Sequence, residues 1–491
     1  MQTERKPVVP SIWISLLPVL TLVAMLAVAI YIFQGDALGG ASQIVLLLGT
    51  AICSLLAVFY CKIHWKDIER QIAQNILGIA PSIIILLLIG TLSGSWMVSG
   101  VVPALIYYGL QVMQTDFFLM ACCVLCSIVS VMTGSSWTTI ATIGIALVGI
   151  GEAQGFSTGW IAGAIISGAY FGDKMSPLSD TTVLAASVTD TPLFSHIRYM
   201  FGTTIPSMTI ALIVFTVAGF TRGTIVDSAQ IAVFSDALRS TFHITPWLMI
   251  VPIVTGFMIA KQLPSIVVLF ASSILAGLFA LCFQSDCLLE IADMPEGGTI
   301  AYVKGLMMMF YDSTHLATGN EGLDALVCTR GMAGMLDTIW LIICAMCFGG
   351  AMTASGMLAG ITQIFLRFMH GLTSTVTATV ISGLSLNVCT ADQFIAIILN
   401  SEMFKDAYKE RGFESRLLSR TTEDSVTVTS VLIPWTTCGM TQSTILGVST
   451  WTYLPYCIFN LVSPLMSIFM AVIGFKVYQH KPISNNTSIK S

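Results

Sequence analysis

The chain has 491 residues, of which 55% are hydrophobic and only 10% charged, with a mean hydropathy of +0.86. A soluble domain carries about 25% charged residues, so the deficit excludes an ordinary globular protein and implies an all-α polytopic membrane protein. The formal net charge of −5 comes from few residues, and no basic face suited to nucleic acid is present.

Arg5 and Lys6 precede an apolar run from Ser11 to Phe33. That run exceeds the roughly 7–15 residues of a signal-peptide core, so it reads as a retained first transmembrane helix. A spanning helix needs about 20 mainly apolar residues. The further candidates are Gln43–Cys61, Ile79–Met97, Phe117–Met132, Met200–Phe220, Pro246–Ala260, Ser265–Phe283, Thr338–Met357, Ser374–Val388 and Tyr453–Val477. Polar residues, Gly and Pro interrupt the segments around Trp137–Ile150, Trp160–Ala186, Ala391–Met403 and Val426–Val448. These read as broken or re-entrant helices, tolerated in a membrane only where the backbone faces protein or a wet cavity. Counting each broken pair once predicts roughly 11–13 spans in a single transporter domain covering residues 1–491.

Charge asymmetry predicts the orientation. Lys62, Lys66 and Arg70, the group Lys405, Lys409, Arg411, Arg416 and Arg420, and Lys476 with Lys481 all read as cytoplasmic, as does the N-terminus. The Gln284–Gly298 stretch holds Asp286, Glu290, Asp293 and Glu296 without Lys or Arg, and reads as a solvated external loop. Cys122, Cys123 and Cys126 sit in an apolar segment without His or carboxylate, so they read as small buried side chains and not as a metal site. The six His form no ligand pair. Walker A, HExxH, Gly-x-Ser-x-Gly and potassium-filter motifs are absent, so nothing points to an ATP-driven pump, an enzyme or a potassium-type channel.

The chain repeats itself in pattern. Thr133-Gly-Ser-Ser-Trp-Thr-Thr139 follows one apolar helix and opens another, and Cys389-Thr-Ala-Asp-Gln-Phe-Ile395 does the same later. Downstream of each comes an interrupted helix, at Ser176-Pro-Leu-Ser-Asp-Thr-Thr182 and at Trp435–Ser443. Paired discontinuous segments in two halves point to a transporter binding site. The expected inverted repeats cover about 72–225 and about 335–477, joined by connecting helices over 226–334.

Gly168–Thr182, reading GAYFGDKMSPLSDTT, ends a run from Gln71 to Gly172 without Lys or Arg. Charge inside membrane-grade sequence is costly and marks something polar that binds or passes. Asp173 and Asp180, with a break expected at Pro177, and the hydroxyls of Ser176, Thr181 and Thr182 offer the oxygen ligands that hard cations prefer. Lys174 is expected to pair with one of these aspartates while the site is empty. Asp392 and Thr437 are expected to close the site from the second half, with Asn387, Thr390 and Thr436 as accessory groups. Glu423 and Asp424 follow Arg416 and Arg420, and read equally as a cytoplasmic salt-bridged gate or as ligands.

These stretches carry a resemblance. GAYFGDKMSPLSDTT, the upstream TGSSWTTIATIGIALVGIG, LIICAMCFGGAM at Leu341–Met352, ADQF at Ala391–Phe394 and SRTTEDSVTVTSVLIPWTTCG at Ser419–Gly439 resemble the NhaC-type Na⁺/H⁺ antiporter family, over about Ile72 to Phe475. The resemblance implies a secondary transporter in a cell membrane, with Na⁺, H⁺ and the lipid bilayer as its partners and no cofactor. It singles out Asp173, Ser176, Asp180, Asp392, Glu423 and Asp424. Protons and Na⁺ then compete for the same carboxylate oxygens as the carrier alternates its facing. The family pattern often carries Asn where this chain has Val183 and Thr436, so an altered cation shell or a coupled organic anion of the malate or lactate kind is the alternative. Oligomeric state stays open.

Overall fold

The computed structural model describes residues 10–32, 40–112, 115–177, 179–222, 228–261, 263–316 and 327–474. Arg5, Lys6, Lys476 and Lys481 lie outside the described residues. Within them the chain is helical throughout, with one isolated bridge between Thr314 and Thr329 and no strand. The apolar runs fold as Ile12–Ile32, Ala41–Phe59, Ala80–Val98 and Ser265–Phe283, near their expected bounds. Large apolar side chains such as Leu20, Ile253, Phe257 and Phe270 remain exposed on the outer faces. That is the arrangement of a chain whose surrounding solvent is hydrocarbon.

Eight described helices are long and apolar enough to cross a membrane, or up to ten when bent pairs are counted as spans. The expected 11–13 also counted shorter and interrupted helices, which lie outside this measure of length and composition. Val101–Gln111, Phe118–Thr133 and Met357–Arg367 are apolar but short, and the polar Thr158–Met175 and Gln393–Glu410 do not qualify. The acidic stretch before Gly298 is corrected, because it contains the helix Ser285–Ala292. Cys287, Leu288, Ile291 and Ala292 are buried there, while Asp286, Glu290, Asp293 and Glu296 are exposed.

Two structural units share one local pattern. In the first, Phe118–Thr133 ends at Gly134 in the left-handed region (φ 67), and Ser135 caps the next helix by accepting from the Thr138 N–H. That helix continues through a π turn, Ile140–Gly144, to Ile145–Ala153. In the second, Leu372–Thr390 ends at Ala391 in the same region (φ 57), and Asp392 caps Gln393–Glu410.

Each unit then carries a broken helix. Thr158–Met175 stops, Ser176–Pro177 turns, and Asp180–Val188 resumes with Ser179 as its cap. Likewise Ser415–Thr422 runs through a π turn, Glu423–Thr427, to Val428–Ser430, breaks, and resumes as Thr437–Leu446 with Thr436 as cap. Pro177 and Pro434 each lie in a break, where a missing N–H and a fixed φ cost nothing.

Thr158–Met175 packs closely along Phe118–Thr133. A Cβ on Gly168 would run into the Cys123 carbonyl, and one on Gly172 would lie 2.5 Å from the Ser127 carbonyl oxygen. Small residues allow this backbone approach in membrane helices. It fixes where Asp173, one residue beyond Gly172, points.

Candidate ion-binding site

Asp173 is buried, and its Oδ2 accepts from the Ser136 hydroxyl at 2.7 Å and the Ser136 N–H at 3.3 Å. A carboxylate at a helix start meets unpaired N–H groups and the positive end of the helix dipole. The broken helix is thereby tied to the tip before Ser136. The second unit makes the same tie with the roles exchanged. There Asp392 sits on the tip, its Oδ1 accepting from the Phe394 and Ile395 N–H groups, and the Thr437 hydroxyl of the half-helix donates to its Oδ2 at 3.2 Å.

A cavity of about 390 Å³ opens between the two units. Asp173, Asp180 and Thr181 line it together with Thr133, Gly134, Ser135, Trp137 and Thr138 from the first tip and Gln393 and Phe394 from the second. Ile85, Ile259 and Leu263 are among its apolar walls. Asp173 and Asp180 are the only charged residues among the described lining. Four helix starts, at Ser136, Asp180, Ser265 and Gln393, converge there, and their dipoles favour negative carboxylates.

Other expected ligands lie around this cavity without lining it. The Ser176 hydroxyl donates to the Val131 carbonyl at 2.8 Å, and Thr182 donates to the Lys174 carbonyl at 3.1 Å, which closes the first break. Thr390 donates to the Asp392 carbonyl at 2.9 Å, pinning the second tip. Asn387 donates to the Val426 carbonyl at 2.7 Å. Thr436 accepts from the Gly439 N–H at 3.1 Å and donates to the Ser430 carbonyl at 2.5 Å. Asp392 and Thr437 bond to each other, and Gln393 and Phe394 present the second tip to the cavity instead.

Lys174 corrects an expectation. It turns away from Asp173 and Asp180 and pairs with Asp424, both side chains being fully buried. It also reaches Ser463 Oγ at 3.2 Å, and Thr203 Oγ1 lies 3.2 Å from the same Asp424 oxygen. Arg420 Nε is 3.9 Å from Asp424 Oδ2, and its guanidinium lies over Tyr199, 4.6 Å from the ring centre. Arg420 is therefore an interior residue and not a loop charge, while Arg416 pairs with Glu414. Sequence reasoning missed Ser136 as the partner of Asp173. A Thr-Gly-Ser-Ser stretch opening an apolar helix is a helix-start signal, but the residue that start would meet lies 37 positions away.

Broken helices meeting at a carboxylate-lined cavity inside a helical membrane protein are the arrangement of a secondary transporter. The model of the Na⁺/H⁺ antiporter family matches residues 168–475, and this chain belongs to that family. The chain is 35% identical to the malate-2H⁺/Na⁺-lactate antiporter of Bacillus subtilis (strain 168) over 424 residues, 86% of this chain and 87% of that one. It is 33% identical to the Na⁺/H⁺ antiporter NhaC of the same organism over 88% of this chain and 92% of that one. With NhaC of Alkalihalophilus pseudofirmus the identity is 34%, over 88% and 91% of the two chains.

Proposed function

We propose that this protein exchanges Na⁺ for H⁺ across a cell membrane by alternating access, with Asp173 and Asp180 as the carboxylates for which the two ions compete. The observation that carries the reading is the charge of the cavity, whose described lining holds two aspartates and no cationic side chain. Thr181, Ser135, Thr138 and Gln393 add neutral oxygen ligands around them, the donor set that suits a hard monovalent cation. The matching tips and breaks support two repeats of inverted topology, over about 72–225 and about 335–477, that move against each other. Lys62, Lys66, Arg70, Lys405, Lys409 and Arg411 support a cytoplasmic N-terminus.

A second reading, coupled transport of a small organic anion, draws on the malate/lactate relative and on the four helix starts facing the cavity. It lost its side-chain candidate, because Lys174 is committed to Asp424. Everted vesicles holding a proton gradient separate the two. Added Na⁺ is expected to dissipate the gradient with no organic anion present. Dissipation only with malate- or lactate-like anions would favour the second reading. Asp173→Asn and Asp180→Asn are each expected to reduce exchange to background while the protein still inserts, and wild-type exchange in both would sink the assignment.

A further inference from the structure

Among the described residues, Glu423 stands apart from every other carboxylate. It is fully buried, and neither of its oxygens has a hydrogen-bond partner; the Thr427 hydroxyl faces it but outside hydrogen-bonding geometry. It opens the π turn Glu423–Thr427, a distortion often found at functional sites. An ionised carboxylate without partners in a dry interior is strongly disfavoured, so such a group carries a proton. The charges that reach it are Lys174, Asp173 and Asp424, with Arg420 one turn earlier on its own helix. The helices packed on the turn add little to this. Leu372–Thr390 and Ile458–Val472 have no charged residue, Asp180–Val188 has only Asp180, and the charges of Gln393–Glu410 begin at Glu402.

The cluster is balanced to respond to a cation. Lys174 and Arg420 supply two positive charges and Asp424 one negative charge. A proton on Glu423 therefore leaves one positive charge uncompensated, and losing that proton neutralises the set. Asp173 and Lys174 are consecutive at the end of one helix, the first facing the cavity and the second the cluster. A cation settling at Asp173 cancels the negative charge that Glu423 otherwise feels. The balance then tips toward ionised Glu423, whose O–H bond breaks and whose proton passes to water. By linkage, a proton on Glu423 weakens cation binding by the same factor.

We infer that Glu423 is a further proton-binding group of the exchange cycle, beside Asp173 and Asp180, off the cation's path and coupled to the cavity through the consecutive residues Asp173 and Lys174. This rests on the Na⁺/H⁺ reading, and the test keeps the two apart. Purified protein in weakly buffered detergent solution is titrated with Na⁺ while a pH dye follows released protons. Wild type is expected to release protons as Na⁺ binds, and Asp173→Asn to lose both signals. Glu423→Gln, an isostere of the protonated acid, is expected to keep Na⁺ binding but release one proton fewer per Na⁺, with a correspondingly shallower pH dependence of affinity. Unchanged proton release in Glu423→Gln overturns the inference and leaves the Na⁺/H⁺ reading standing. No Na⁺ binding in wild type overturns both. Should Glu423→Gln not fold, Na⁺-induced infrared difference spectra of wild type decide the matter. Loss of a buried protonated carboxyl band supports the inference, and its persistence through saturation overturns it.

Discussion

Asp173 and Lys174 are neighbours in sequence, yet one faces a cavity and the other a dry ion cluster. The difference comes from the helix that carries them, since consecutive side chains on a helix point about 100° apart. Removing one member of a buried ion pair leaves its partner uncompensated, at a cost of about 3–5 kcal/mol. Asp424→Asn is therefore expected to lower the thermal unfolding midpoint of the purified protein markedly, because it leaves Lys174 and Arg420 without the anion they share. Adding Lys174→Met should recover much of that loss, because it removes the more closely paired of the two stranded cations; a further drop would mean that the pair is not the source of the effect. Two family departures are less consequential than their amide chemistry suggests. Thr436 is a helix cap and Val183 is 43% exposed, and neither lines the cavity. Since Asn and Thr both cap helix starts, Thr436→Asn should leave stability and Na⁺ affinity nearly unchanged. The charges at 173 and 180 were legible from sequence because they break an apolar run. The partner of Lys174 was not, because Asp424 lies 250 positions away and nothing local marks the contact.

At the scale of elements, the two tips solve one problem with different residues. Each turns the chain through the left-handed region just before a helix start, with Gly134 in one and Ala391 in the other. A residue with a Cβ pays roughly 1–2 kcal/mol there. Gly134→Ala is accordingly expected to destabilise the protein by about that amount, read as a lower unfolding midpoint. Ala391→Gly should come out near neutral, since relief of strain is offset by the greater freedom of Gly in the unfolded chain. A large loss in Ala391→Gly would show that the Ala391 methyl, which is buried, contributes more packing than strain. The tips and breaks were readable as interrupted helices bearing Gly, Pro and hydroxyl residues. The π turns at Ile140–Gly144 and Glu423–Thr427 were not, because an inserted residue leaves composition and apolar period almost unchanged. The amphipathic Ser285–Ala292 helix was hidden because four exposed acids dominate a stretch whose buried face is only four residues.

For the whole molecule, the decisive quantity is the charge that crosses the membrane in one cycle. With Na⁺ bound and both cavity aspartates ionised, the moving site carries one net negative charge. With two protons in place of the Na⁺ it carries none if both sit on the aspartates, and the same difference arises if one of the two is held on Glu423. Two protons per Na⁺ thus move one positive charge per cycle against the direction of Na⁺. A potential of 100 mV acts on one elementary charge with about 2.3 kcal/mol, roughly a fifty-fold bias in the final Na⁺ ratio. Na⁺-loaded proteoliposomes with an interior-negative potassium diffusion potential are therefore expected to release Na⁺ faster than liposomes at zero potential, and an interior-positive potential should slow release. Thermodynamics makes this independent of which way the protein is inserted. A release rate that ignores the potential would mean one proton per Na⁺. Two of the three carboxylates at 173, 180 and 423 would then keep their charge state through the cycle, and Asp180, exposed at the cavity wall, would be the first to leave the proton-carrying set.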